Sequence, residues 1–89
     1  MSAEEFEKYS KLVSPMRARL SMAQKVEMYG LWCVASRGKC TQKQPYRTNL
    51  LEYGKWVAWK KYEHLGQSKA RELFVAKAKA IMSRGLSRL

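Results

Sequence analysis

Apolar side chains recur at intervals of three and four residues along most of this chain, and no strand-length stretch alternates apolar and polar residues. Such spacing marks one face of an α-helix, whereas a strand repeats every second residue. Near the N-terminus, Phe6, Tyr9, Val13 and Met16 form one stripe of this kind. The chain has 89 residues, enough for one modest hydrophobic core. We therefore predict a single all-α domain over residues 1–89.

Capping residues and helix breakers divide the chain into four predicted helices. Ser2 and Glu5 fit a capping box that opens the first helix. Pro15 ends it, because the residue before a proline is steered out of helical geometry. Ser21 and Gln24 form a second capping box, which predicts the start of the second helix.

A long loop is predicted between the second and third helices. The second helix continues to about Arg37, where Gly38 provides its C-terminal stop. Residues 39–48 are polar and lack a helical period, so they form the loop.

The same signals place the last two helices. Asn49 and Glu52 stand where they would cap the third helix. A break at Gly66 and Ser68 separates it from the fourth helix, which continues towards the C-terminus.

The second helix is apolar on two sides, which indicates two different contacts. Either both sides pack on neighbouring helices, or one side packs and the other lines a groove for an apolar ligand. The two stripes are Met22, Val26, Tyr29 and Cys33, and Met28, Leu31, Trp32 and Ala35.

Positive charge dominates the surface and indicates an anionic partner. Eighteen Lys and Arg residues face seven acidic residues, for a formal net charge of +11. The N-terminus does not have the pattern of a secretory signal, and no apolar stretch approaches the roughly 20 residues that a membrane-spanning helix needs. We therefore predict a cytoplasmic protein, in which Cys33 and Cys40 are reduced thiols.

Residues suited to catalysis or metal binding are scarce. The single histidine, His64, has no carboxylate, serine or cysteine arrangement nearby that would make a catalytic partner. One histidine with two cysteines also does not make a zinc site. We predict a binding protein that is not an enzyme and has no metal site.

Lys55, Trp56 and Trp59 place a cation and two indoles on one helical turn. An aromatic surface beside positive charge suits a planar, anionic ligand. Buried indoles at helical spacing are, however, chiefly packing elements, and we expect Trp56 and Trp59 to act as such.

Nearly the whole chain resembles the acyl-CoA-binding protein family, and the resemblance rests on motifs as well as their spacing. Phe6 matches a helix-one phenylalanine, and residues 29–35 (YGLWCVA) follow the family's helix-two pattern. Pro45 matches a loop proline, and residues 55–59 reproduce the signature Lys-Trp-x-Ala-Trp without change. Phe74, followed by a valine, stands where the family has an aromatic and an aliphatic residue.

The resemblance implies a four-helix bundle of up-down-down-up type, with a long loop between helices two and three. In such a bundle a groove holds the acyl chain, and polar groups at its rim hold the nucleotide end of coenzyme A. By match, Tyr29 donates a hydrogen bond near the 3'-phosphate and Lys55 pairs with that phosphate. Trp32 occupies the position of a tyrosine near the nucleotide, and Phe74 packs against the adenine without the usual hydroxyl.

Cys33 departs from the family pattern, since it stands where a second phosphate-binding lysine is typical. A thiol has a reference pKa near ~8.5 and is mostly neutral at pH 7, so it does not replace that charge. Either a basic residue at the rim supplies the missing cation or binding is weakened. The candidates for that cation are Arg17, Arg19 and Lys25.

The family implies a monomeric intracellular carrier and pool former that binds medium- to long-chain fatty acyl-CoA one to one and needs no cofactor. Acyl-CoA-using enzymes and anionic membranes are further expected partners. The alternative is a basic helical module that binds nucleic acid or an anionic membrane surface, the latter through its Arg84 and Arg88 end, with acyl-CoA binding weakened or lost. Basic residues scattered over all helices disfavour nucleic acid, since base-reading modules concentrate them on one face.

Overall fold

Four α-helices make up most of the fold in the computed structural model, which describes the backbone of residues 3–87 and the side-chain burial of residues 4–83. A six-residue 3₁₀ helix follows the first of them, and a three-residue one precedes the last. No strand occurs within the described backbone. The all-α prediction is therefore confirmed. The helices are α1 (Ala3–Val13), α2 (Met22–Arg37), α3 (Leu50–Tyr62) and α4 (Gly66–Ser87).

Several predicted boundaries are confirmed. Helix α1 ends at Val13, and the chain continues as a 3₁₀ helix with Pro15 in its first turn. Helix α2 opens with the predicted capping box: the Gln24 N–H donates to Ser21 Oγ (3.1 Å), and the Ser21 N–H donates to Gln24 Oε1 (2.9 Å). It ends before Gly38, whose φ of 85° lies in the left-handed region that glycine adopts without strain.

The predicted cap at Asn49 is wrong in its chemistry, although α3 does begin at the next residue. The Asn49 side chain makes no capping hydrogen bond, and its φ and ψ are −91° and 81°. Ser21, which does cap, is extended with ψ 163°, the conformation that directs a side chain back at its helix. The predicted break before α4 falls at Gly66 (φ 80°), with Ser68 inside the helix. Ser2 of the first capping box lies outside the described residues.

Helices α2 and α3 are parallel neighbours in close contact. A Cβ added at Gly30 would lie 2.6 Å from the Ala58 carbonyl carbon, and one added at Gly54 would lie 3.3 Å from Val26 Cγ1. From the contact of Val26 with Gly54 to that of Gly30 with Ala58, both helices advance by four residues in the same direction. Only parallel helices allow this. Parallel neighbours need a connection that returns the full length of the helix. The long loop over residues 38–49 supplies it.

Helix α2 lies at the centre of the bundle, since it packs against both α3 and α4, while α1 packs on α4. Leu31, Cys33, Val34 and Ala35 have no exposed surface. Tyr29 and Trp32, one from each apolar stripe of α2, stay half-buried. Both sides of α2 thus pack on neighbours, and a few residues remain free for another contact. The other core residues are Phe6, Val13, Met28, Ala58, Trp59, Ala70, Phe74, Val75 and Ala78.

Helix α3 fastens the long loop through two hydrogen bonds from its indoles, and Glu63 just beyond the helix adds a third. Trp59 is buried in the core, so the expectation that it is a packing element is confirmed, whereas Trp56 is half-buried and lies outside the core. Each donates to a loop carbonyl, and backbone carbonyls need such partners when they are removed from water. The bonds run from Trp59 Nε1 to Gly38 O (2.8 Å), from Trp56 Nε1 to Gln42 O (3.0 Å) and from Cys40 N to Glu63 Oε2 (3.0 Å).

Glu27 links three helices at the other side of α2. Its Oε1 accepts a hydrogen bond from the Tyr62 hydroxyl of α3 (2.8 Å) and pairs with Lys77 Nζ of α4 (2.7 Å). The bonds from Lys77 and Tyr62 lower the pKa of Glu27 despite partial burial. Burial and the bond to Glu27 raise the pKa of Tyr62 to about 12.

Three further expectations concern membrane-spanning helices, metal sites and the state of the cysteines. None of the helices described is both long and apolar enough to cross a membrane. In the same part of the chain no three metal-ligating side chains gather, and Cys33 and Cys40 are free thiols. The predicted contribution of Arg84 and Arg88 falls on side chains outside those that the structure describes.

Candidate ligand-binding site

A cavity of about 540 Å³ opens between α1, the 3₁₀ helix that follows it, α2 and α3, with one residue of α4 contributing. This volume is within the range of small-molecule sites. A smaller cavity, of about 250 Å³, lies between α2 and α4 and contains the Glu27–Lys77 ion pair. The larger one is lined by Ser10, Val13, Ser14, Arg17, Ala18, Leu20, Lys25, Met28, Tyr29, Trp32, Leu51, Lys55 and Phe74.

Tyr29 and Lys55 face each other across the seam between α2 and α3. Lys55 Nζ lies 4.9 Å from the centroid of the Tyr29 ring, within cation–π range. The same ammonium group is 3.8 Å from Glu52 Oε1, a long contact at the surface. A hydrogen-bonding interaction with the Cys33 thiol, together with burial, raises the pKa of Tyr29. Its hydroxyl therefore remains protonated at neutral pH and is able to donate a hydrogen bond.

Trp32 extends the aromatic wall that Tyr29 begins, with ring centroids 6.5 Å apart. The Arg37 guanidinium lies 5.8 Å from the Trp32 ring and 5.9 Å from the ring of Trp59. Arg37 thus connects a cavity residue to an indole that fastens the loop.

Phe74 is the contribution of α4 and closes the cavity from below. Its side chain is almost fully buried and meets Phe6 edge to face, with ring centroids 5.2 Å apart and an interplanar angle of 72°. Aromatic pairs favour this arrangement. Phe74 therefore presents a rigid apolar surface to the cavity.

Cys33 is the one predicted site residue that the structure does not place on the cavity lining. Its side chain has no exposed surface and belongs to the core. Burial raises the pKa of the thiol, which therefore stays neutral. The position faces the interior beneath Tyr29, which lies one turn earlier on the same helix. A role for Cys33 in binding stays a prediction.

Positive charge in the cavity comes from three elements. Lys55 is on α3, Lys25 is on α2 and Arg17 is on the 3₁₀ helix. Arg19, the third candidate for the missing cation, is not on the lining. No acidic side chain lines this cavity among the residues that the structure describes. The arrangement suits an anionic group held beside an apolar surface.

Apart from Arg17, sequence reasoning missed the cavity residues of the first helix and its extension. Ser10, Ser14 and Leu20 line the cavity, as does Leu51 at the start of α3. The two serines are four residues apart, so they share one helical face, but serine pairs are too common to signal a site. The Lys55–Trp59 motif divides: its lysine faces the cavity, whereas its tryptophans face the loop.

Comparisons with known proteins show the family of the chain. The family model described as Acyl CoA binding protein matches residues 3–78. A protein from the genus Hypsibius, named for acyl-CoA binding, is 32% identical over 85 residues, which cover 94% of this chain and 96% of that protein. The acyl-CoA-binding domain-containing protein 2 of Oryza sativa subsp. japonica is 30% identical over 79 residues, covering 89% of this chain and 87% of that protein. The crystal structure of Oryza sativa Acyl-CoA-Binding Protein 2 matches with a TM-score of 0.87 and 29% identity, covering 92% of this chain and 89% of that one. The chain therefore belongs to the acyl-CoA-binding protein family.

Proposed function

We propose that this protein binds one medium- to long-chain fatty acyl-CoA in the 540 Å³ cavity and serves as a monomeric cytoplasmic carrier and pool former without catalysing a reaction. The observation that carries the proposal is the joint lining of that cavity by three cations and a group of apolar side chains. An acyl-CoA has the matching chemistry, since it joins phosphates to a long hydrocarbon chain.

The charged end of the ligand belongs at Lys55 and Tyr29 in this proposal. Lys55 would pair with the ribose 3'-phosphate, and the Tyr29 hydroxyl would donate a hydrogen bond to it. The long contact of Lys55 with Glu52 leaves the ammonium group able to exchange that partner for a phosphate.

The aromatic residues would hold the adenine. Trp32 provides a half-buried indole beside Tyr29, and Phe74 provides a fixed ring below. Stacking and edge contacts with a purine need no hydroxyl, so the loss of the usual tyrosine at Phe74 costs a hydrogen bond and leaves the apolar contact.

Arg17 and Lys25 would supply the positive charge of the family lysine whose position Cys33 occupies. Both line the cavity, while Cys33 is buried beneath it. We assign Cys33 a positioning role under Tyr29. Leu20 and Met28, two apolar side chains of the cavity lining, would contact part of the acyl chain, whose binding strengthens by about 0.8 kcal/mol for each methylene removed from water.

Calorimetric titration tests this function. A long-chain acyl-CoA, coenzyme A alone and the free fatty acid are titrated under identical salt, with Lys55→Ala and Lys60→Ala as matched variants. Lys60 is on the same helix but is absent from the cavity lining. We expect tight one-to-one binding of the thioester, weak binding of both fragments, and loss of affinity only in Lys55→Ala. Equal binding of the thioester and the free fatty acid would contradict the proposal.

A further inference from the structure

Large apolar side chains are exposed where α2 and α3 begin. Met22 and Leu50 are the first residues of the two helices, with 59% and 79% of their surfaces exposed. The close contacts at Gly30 with Ala58 and at Gly54 with Val26 set a register of 28 residues between the helices. One turn earlier, this register places Met22 beside Leu50.

Two more exposed apolar side chains lie within four residues of Leu50 along the chain. Leu51 is 38% exposed and lines the mouth of the cavity. Tyr46 is 86% exposed in the turn that leads into α3, where its carbonyl accepts the Asn49 N–H at 3.1 Å. We call Met22, Tyr46, Leu50 and Leu51 the helix-end patch. An apolar surface of this kind on a small domain indicates a contact site.

Three cations lie near residues of the helix-end patch, two in the cavity lining and one in the sequence. Arg17 and Lys25 share the cavity lining with Leu51, and Arg19 precedes Met22 by three residues. No ion pair neutralises these three among the residues that the structure describes. Glu52, in the first turn of α3, pairs with Lys55 at 3.8 Å.

We propose that the helix-end patch docks on an anionic lipid bilayer, with its apolar side chains in the interfacial region and its cations against the lipid phosphates. Apolar side chains rimmed by unpaired cations complement such a surface, whereas a second copy of this chain would bring like charges together. Docking there brings the cavity mouth at Leu51 to the membrane. It does not depend on acyl-CoA binding, so the two proposals fail separately.

Vesicle co-sedimentation without acyl-CoA tests the docking. Phosphatidylcholine vesicles with and without phosphatidylserine are compared for the unmodified protein, for the double variant Met22→Gln with Leu50→Gln, and for Val57→Gln. Val57 is a matched control, because it is an exposed apolar residue of α3, 40% exposed, two turns beyond the patch. Arg19→Gln tests the rim separately. Acyl-CoA titration and circular dichroism of each variant check its fold.

We expect phosphatidylserine to raise binding by about tenfold or more, since each cation near an anionic surface contributes roughly fivefold. The double variant should lose about tenfold through its missing apolar contact, and Val57→Gln should bind like the unmodified protein. Arg19→Gln should weaken only the binding that depends on phosphatidylserine. The proposal is overturned if the folded double variant binds these vesicles as well as the unmodified protein does, or if Val57→Gln loses as much vesicle binding as the double variant. It is also overturned if sedimentation shows that the unmodified protein is a dimer and the double variant a monomer.

Discussion

A methyl group added at Gly30 would lie 2.6 Å from the carbonyl carbon of Ala58, closer than two non-bonded carbon atoms approach. We predict that Gly30→Ala destabilises the protein by about 2 kcal/mol, since overpacking outweighs the better helix propensity of alanine. Urea unfolding monitored by circular dichroism measures the change.

Gly54→Ala is the matched control for that variant, because its added methyl would meet only the Val26 side chain at 3.3 Å. It should change the free energy of unfolding by less than about 1 kcal/mol. Equal stability of Gly30→Ala and the unmodified protein would show that α2 and α3 separate at little cost.

Acid should weaken the junction of three helices at Glu27. Its pKa is lowered by the bonds from Lys77 and Tyr62, so the folded protein releases this proton more readily than the unfolded chain. The stability it contributes is present above the ordinary glutamate pKa of 4.5 and is lost as the pH falls through the lower folded value. Because Glu27 and Lys77 are partly exposed, the effect should be below about 1 kcal/mol. Thermal unfolding of the protein and of Glu27→Gln over this pH range measures it, and parallel curves for the two would contradict the prediction.

Alkali should act on Tyr62 in the opposite direction. Its pKa rises from 10.0 to about 12, so the folded protein holds this proton more tightly than the unfolded chain does. The contribution to stability is complete below pH 10 and is lost as the pH rises towards about 12. Ultraviolet titration of tyrosinate should show a late transition that Tyr62→Phe lacks. If the variant titrates like the unmodified protein, the assignment to Tyr62 is wrong.

The bond between Trp59 Nε1 and the Gly38 carbonyl should decide how firmly the loop is held. Trp59→Phe leaves that carbonyl without its partner and removes buried surface, for a loss of about 2–3 kcal/mol. Trp56→Phe, which removes the more exposed bond to Gln42, should cost less, about 1 kcal/mol. Limited trypsin digestion at Lys39 and Lys43 reports the loop directly. If the loop of both variants resists trypsin as well as the loop of the unmodified protein, neither indole fastens it.

Arg17→Ala and Lys25→Ala should each reduce acyl-CoA affinity by about tenfold, as expected for the loss of one charged contact with a phosphate. Arg19→Ala should leave it unchanged, since Arg19 is not on the cavity lining. Titration calorimetry of the three variants measures these affinities. If none of them weakens binding, the missing lysine at Cys33 is not compensated from the rim.

Local signals predicted the helices well, whereas the cavity depends on contacts that no local signal encodes. The Ser21 capping box lies within four residues and is formed as expected. Arg17 and Leu51, by contrast, reach the same cavity from the 3₁₀ helix and from α3. The packing of the whole core decides which faces of separate helices meet. The sequence alone therefore did not predict that these two residues line one cavity. Asn49 shows a smaller failure, because the turn before it sets its backbone away from a capping conformation.

In the Lys55–Trp59 motif the lysine faces the cavity and the two tryptophans hold the loop, and this difference bears on how such domains diverge in evolution. Its two indoles fasten the loop that lets parallel helices lie side by side, so selection for a stable fold alone is enough to retain them. Its lysine makes no comparable structural bond and is retained only while a ligand requires it. In descendants of such a chain, loss of the lysine beside intact tryptophans would mark a domain that keeps its architecture after giving up its cargo.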